Sequence, residues 1–158
     1  MTKDRQRDFA RRITQSNKTE LVVITYDIIL EETASAASAL AAGRTEQFRA
    51  DLKSAQHFLG ELMSSLDYSY GISKQLLSLY EYVQRLFVRC DMRTSTDGLE
   101  SAEQVLRGLR GAFAQIAPQD NSGTVMENAQ SVYAGLTYGR GSLNELNMTE
   151  GTNRGFLA

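Results

Sequence analysis

Catalysis or metal binding in a helical protein needs ionisable side chains that converge, and this 158-residue chain offers few of them. It has one histidine, His57, and one cysteine, Cys90. A carboxylate-bridged di-iron centre requires two Glu-x-x-His pairs, whereas the residue three before His57 is Ser54. Zinc and iron sites need several convergent ligands, so His57, between Gln56 and Phe58, reads as a surface or boundary residue. No histidine lies near Cys90 in sequence to activate it, so it reads as a small core hydrophobe. The stretch "YGRGS" at 138–142 lacks the preceding strand and the Lys-Ser/Thr ending of a phosphate loop and reads as a turn. Glu31 and Glu32 fall mid-helix among alanines and serines, which fits a solvated face. The residue types therefore predict no catalytic site, no metal and no cofactor.

Composition narrows the function classes further. A formal net charge of −2 lacks the basic footprint of a nucleic-acid binder. The longest apolar run, "LVVITYDIIL" at 21–30, falls short of the ~20 residues of a membrane span. One cysteine makes no internal disulfide, and no segment has the pattern of a signal peptide. The expectation is a cytoplasmic protein without membrane insertion.

Hydrophobic spacing supplies the elements. "MTKDRQRDFARRITQSNK" is polar and basic around Phe9 and Ile13, which predicts a short N-terminal helix or arm. Within "SNKTE", Ser16 or Asn17 is a candidate N-cap, and Glu20 stands at capping-box spacing from Asn17. A second helix then runs from Lys18 to about Ala42, apolar on nearly every side in its first turns. The third carries Phe48, Leu52, Ala55, Leu59, Leu62 and Leu66 at four-three spacing. "DYSYG" at 67–71 breaks the pattern, and the fourth carries Ile72, Leu76, Leu79, Val83, Leu86 and Cys90. After "TSTDG" at 94–98 the fifth carries Leu99, Ala102, Leu106, Leu109, Phe113 and Ile116, and Pro118 ends it. The fold class predicted is all-α: an antiparallel up-and-down bundle of four long helices, with residues 1–118 as the bundle domain. Residues 119–158 form a Gly/Asn/Ser-rich C-terminal extension, partly docked or flexible, with Tyr133 and Leu136 among its anchors.

The second and fourth helices carry more large apolar groups than one bundle seam consumes. In "LLSLYEYVQRLF" at 76–87, Tyr80 and Phe87 stand on one shoulder of the assigned seam, where either alone reads as a widening of the core face, and Tyr82 stands on the other. Surplus apolar surface of this kind is a property of proteins that bind proteins. Leu21, Ile24, Tyr26 and Ile28 of the second helix, with Tyr80, Tyr82, Leu86 and Phe87 of the fourth, are the predicted partner-binding residues.

Four stretches in order, "NKTELVVITYDIILEE", "AQHFLGELMSSLD", "LLSLYEYVQRLFVRCD" and "LESAEQVLRGLRGAF", resemble the flagellin-specific export chaperones, the FliS family. The residues that carry the likeness are Leu21, Tyr26 and Asp27; Glu61, Leu62, Leu66 and Asp67; Leu79, Tyr80 and Tyr82; and Leu109 and Arg110. Each motif is weak alone, and their collinearity over residues 17–116 makes the match specific. The resemblance implies a helical bundle that binds the C-terminal segment of flagellin, prevents its premature polymerisation and delivers it to the flagellar type III export apparatus. Members often begin with a tyrosine-bearing segment that can lie over the client groove. Here "RDFARRI" offers Phe9 or Ile13 in its place, and Tyr133 and Leu136 of the extension are further candidates for covering the groove. The rival reading is a structural or adaptor bundle that self-associates, as a homodimer for instance, through the apolar surface of the second helix.

Overall fold

Asn17 starts the longest helix. Its side chain accepts from the Glu20 backbone N–H at 2.7 Å, and the Glu20 carboxylate accepts from the Asn17 N–H at 2.9 Å, so the capping box legible in "SNKTE" is formed. In the computed structural model, which describes residues 3–126, five helices follow in order: α1 (Lys3–Gln15), α2 (Lys18–Ala41), α3 (Thr45–Ser64), α4 (Ser73–Arg93) and α5 (Leu99–Ile116). The described residues are all-helical, with a single 3-10 turn, Ala117–Gln119, after α5. Pro118 lies in that turn, where its missing N–H and fixed φ end the α-helix. No helix among the described residues is long and apolar enough to cross a membrane. Tyr133 and Leu136 lie outside the described residues.

Helix α2 packs against α3 and α5, α4 packs against the same two, and α1 lies on α2. Between α4 and α5 the chain reverses through Thr94 and Gly98, both at positive φ. Gly98 is needed there for two reasons. Its φ is +111°, and a Cβ would stand 3.0 Å from the Arg89 guanidinium and 3.1 Å from Leu86.

The core confirms the seam of α3 from Phe48 to Leu62, all buried, and corrects that of α4. Val83, Leu86 and Cys90 are buried as expected, but Ile72 is 60% exposed and Leu79 38% exposed. Tyr80 and Phe87 are buried in their place. Two lines of residues on α4 satisfy helical spacing equally well, and what separates them is the aromatic pair across the core. The Tyr26 and Tyr80 hydroxyls meet in a hydrogen bond, and the Tyr26 ring also packs on Phe113 at 5.8 Å between centroids. Seating those rings turns the core face of α4 toward them, and Ile72 and Leu79 rotate to the rim. On α5, Leu99, Ala102 and Leu106 are buried, whereas Ile116 is 50% exposed at the end of the predicted seam.

Contacts with the start of α2 continue past Pro118. Asn17 Nδ2 donates to the carbonyls of Ala117 and Asp120 at 3.2 and 3.1 Å. Asp120 accepts from the Thr19 N–H at 3.0 Å and from its hydroxyl at 2.6 Å. The Val125 N–H donates to the Ser16 carbonyl at 2.9 Å. A carboxylate at the first turn of α2 also meets the positive end of the helix dipole, and the Thr19 and Ser122 bonds hold Asp120 well below the usual carboxylate range. The compact unit accordingly runs to Val125.

The tyrosine pair gives a stability test. Burial pushes both hydroxyls up, away from ionisation, so each enters the core neutral. Tyr80→Phe leaves the Tyr26 hydroxyl without its buried partner and should destabilise the fold by about 1–3 kcal/mol. Because the two changes remove one shared bond, the double Tyr26→Phe/Tyr80→Phe variant should cost clearly less than the sum of the singles. Urea unfolding of the three variants measures this, and strict additivity would show that the hydroxyls do not depend on one another.

Candidate functional site

Helix α1 is amphipathic with a narrow apolar edge. Phe9 is buried, Ile13 half-buried, and nearly every other position is exposed. The two apolar residues are four apart and so share one face. That face lies on Ile24 and Ile28 of α2, which are also four apart, and Phe58 of α3 packs beside them. The four apolar groups of α1 and α2 form a cluster separate from the main core.

Charge fixes the helix in register. Arg12 reaches Asp27 at 2.7 Å and Arg5 reaches Glu31 at 3.1 Å, a pair of contacts that repeats the four-residue spacing of the acidic residues. Both guanidiniums also lie over the Phe9 ring, Arg5 at 5.2 Å and Arg12 at 5.5 Å from its centroid. Asp27 accepts a second bond, from Arg110 of α5 at 2.8 Å. Its partial burial works against the charged form, but the hydrogen bonds and charges of Arg110 and Arg12 outweigh that and hold the carboxyl below its ordinary value.

Next to this stripe lies an open cleft of about 450 Å³, with Arg12, Ser16, Val23 and Ile24 on one side and Ala114 and Pro118 on the other. Ile24 belongs to both the covered stripe and the cleft. The apolar line on α2 therefore continues from beneath α1 into this cleft, which the end of α5 also lines.

The predicted partner-binding residues divide between surface and core. Ile24 and Ile28 lie under Phe9, Leu21 is half-buried on α2, and Tyr82 is 40% exposed on α4 beside Leu79. Tyr26, Tyr80, Leu86 and Phe87 are inside the main core, so in this closed fold they present no surface to a docked segment. The large apolar count of α2 and α4 goes mostly into that core. Of the predicted groove-covering residues, Phe9 and Ile13 lie on Ile24 and Ile28. Phe58 escaped sequence reading because it sits beside the assigned seam of α3. Its spacing, three after Ala55 and four before Leu62, is the signal that would have marked it. Arg12 and Arg110 were not foreseen as partners of Asp27, since nothing in sequence links positions so far apart.

The chain matches the family model described as flagellar protein FliS over residues 1–120. A search of curated proteins returns no match.

The Asp27 bridge predicts a pH dependence. The sign follows from the lowered folded-state value: the bridge stabilises fully above the unfolded carboxyl's ~3.9 and is lost as pH falls through the folded value below it. Asp27→Asn should destabilise the protein at neutral pH by about 1–2 kcal/mol, a modest figure because both arginine heads remain partly in water. It should also flatten the acid limb of the stability curve. Urea midpoints between neutral pH and pH 2 check both effects, and an unchanged acid limb in the variant would assign the limb to other carboxylates.

Proposed function

This chain belongs to the FliS family of flagellar proteins, and on that premise we propose that it is a cytoplasmic chaperone, an antiparallel four-helix bundle that binds the C-terminal helical segment of flagellin. Binding there prevents premature polymerisation, and the complex is then escorted to the flagellar type III export apparatus. The observation that carries the reading is the seat of α1. An amphipathic helix of this chain already lies on Ile24 and Ile28 through Phe9 and Ile13, beside an open cleft that extends the same line. Such a surface accepts a helix with apolar groups at four-residue spacing.

The energetics favour exchange. A free helix of this length is marginal in water, since isolated helices below ~12–15 residues gain too little from propagation to offset nucleation. Burying Phe9 contributes about 1.5–3 kcal/mol. The Arg5–Glu31 pair is partly exposed on both sides and adds about 0.2–1 kcal/mol. A client that fills both stripe and cleft gains more apolar burial than α1 does and can displace it. Its own ordering costs ~2–5 kcal/mol of the gross energy, which keeps the complex releasable. No step in this reading requires a catalytic residue or a cofactor.

Tyr82 and Leu79, exposed on α4, are a second contact for a segment long enough to wrap the bundle. The rival reading is self-association of the bundle through the apolar surface of α2, and size-exclusion chromatography with and without flagellin separates the two.

Deleting residues 1–15 tests the role of α1 directly and leaves the Asn17 capping box in place. The truncated protein should bind flagellin tighter, by roughly tenfold or more if the ~1.5–3 kcal/mol of Phe9 burial is what the client must replace. Calorimetric titration reads the change. Unchanged affinity would place the client elsewhere on the bundle, and weaker affinity would make α1 part of the client site.

A further inference from the structure

The outer face of α4 carries a feature used by neither the core nor the α1 seat. Residues four apart on a helix form ridges, and the furrow between two ridges receives a side-chain ridge from a neighbouring helix. Gln84, Val88 and Met92 form one ridge of α4, and Arg85, Arg89 and Arg93 form the next; those side chains line an open concavity. Met92 is 81% exposed and Val88 39% exposed. None of the three arginines makes an ion pair among the described residues.

The surroundings reinforce the sign of the charge. Arg49 of α3 borders this face, reaching Asp91 at 3.9 Å and the Thr94 hydroxyl at 3.4 Å, and Lys53 stands one turn further along α3. Glu81, one turn before Arg85, is exposed. At the head of the furrow Gln84 donates to Gln56 at 3.2 Å, and its own Oε1 is buried without a hydrogen-bond partner among the described residues.

We propose that this furrow docks an amphipathic helix of a partner protein, one whose apolar ridge is bordered by Glu or Asp at four-residue spacing. The arginine row runs from Arg85 to Arg93 of α4, ~12 Å of helix, which matches three successive acidic positions on a docked helix. A second copy presenting the same face would set one arginine row against another, as a two-fold contact requires. An anionic membrane calls for a broader apolar face than Val88 and Met92 supply. The site is on a different helix from the Ile24–Ile28 stripe, and the inference does not rest on the flagellin reading.

The test titrates full-length, isotope-labelled protein with two synthetic helical peptides that share a leucine ridge and differ only in carrying Glu or Lys along the adjacent one. The Glu peptide should bind and shift the amide signals of residues 84–93, and the Lys peptide should not. Met92→Asp should weaken the Glu peptide by tenfold or more, and Arg85→Glu/Arg93→Glu should reverse the preference between peptides. Circular dichroism verifies the helices of each variant, and Val88→Ala serves as a milder probe if the double reversal fails to fold. Signal changes elsewhere, equal binding of both peptides, or insensitivity to Met92→Asp would overturn the proposal. So would a dimer that Met92→Asp abolishes, or binding confined to phosphatidylglycerol vesicles. Flagellin binding should persist in every variant, and its loss would merge this furrow with the client site.

Discussion

The carboxylate of Asp27 is the junction on which the arrangement of the helices depends. It stands on α2 and holds Arg12 of α1 at 2.7 Å and Arg110 of α5 at 2.8 Å. One residue before it, Tyr26 faces into the core and bonds Tyr80 of α4. Adjacent helical positions point about 100° apart, so a Tyr-Asp pair reaches both the interior and the flank of a bundle. Through these two residues α2 is tied to three other helices by directional contacts, while apolar packing supplies most of the stability.

This geometry joins the motifs that carry the likeness to the FliS family. The Tyr-Asp of α2, the Leu-Tyr-x-Tyr of α4 and the Leu-Arg of α5 are distant in sequence, but in space Tyr26 meets Tyr80 and Asp27 meets Arg110. They are parts of one scaffold. Ile24 and Ile28, which flank the Tyr-Asp pair on α2, face α1 instead, and they are the proposed client surface. A change at Tyr26 or Tyr80 therefore acts on the main core, and a change at Ile24 or Ile28 acts on the seat of α1.

Helix number and approximate bounds were legible because the apolar spacing is sustained and the breaks fall at "DYSYG", "TSTDG" and Pro118. The capping box was legible because it is local. The rotation of α4 was not. Leu79 and Tyr80 are both apolar enough for the core, and only the partner ring across it selects Tyr80. Surplus apolar content on α2 and α4 suggested a groove, yet Tyr26, Tyr80, Leu86 and Phe87 are consumed by the interior. Periodicity counts apolar residues without weighing how far an aromatic ring reaches. The family likeness offered Phe9 and Ile13 as candidates for a cover. Their seat on Ile24 and Ile28 required the structure, as did the pairing of Asp27 with two arginines.

The central claim is that α1 occupies a helix-binding stripe as a replaceable cover. Hydrogen–deuterium exchange on the full-length protein, with and without a saturating C-terminal segment of flagellin, tests it most directly. The account predicts that amides of residues 3–15 lose protection when the segment is added, while those of α2 around Ile24 and Ile28 keep or gain it. Protection of residues 3–15 that is unchanged or increased in the complex would contradict it.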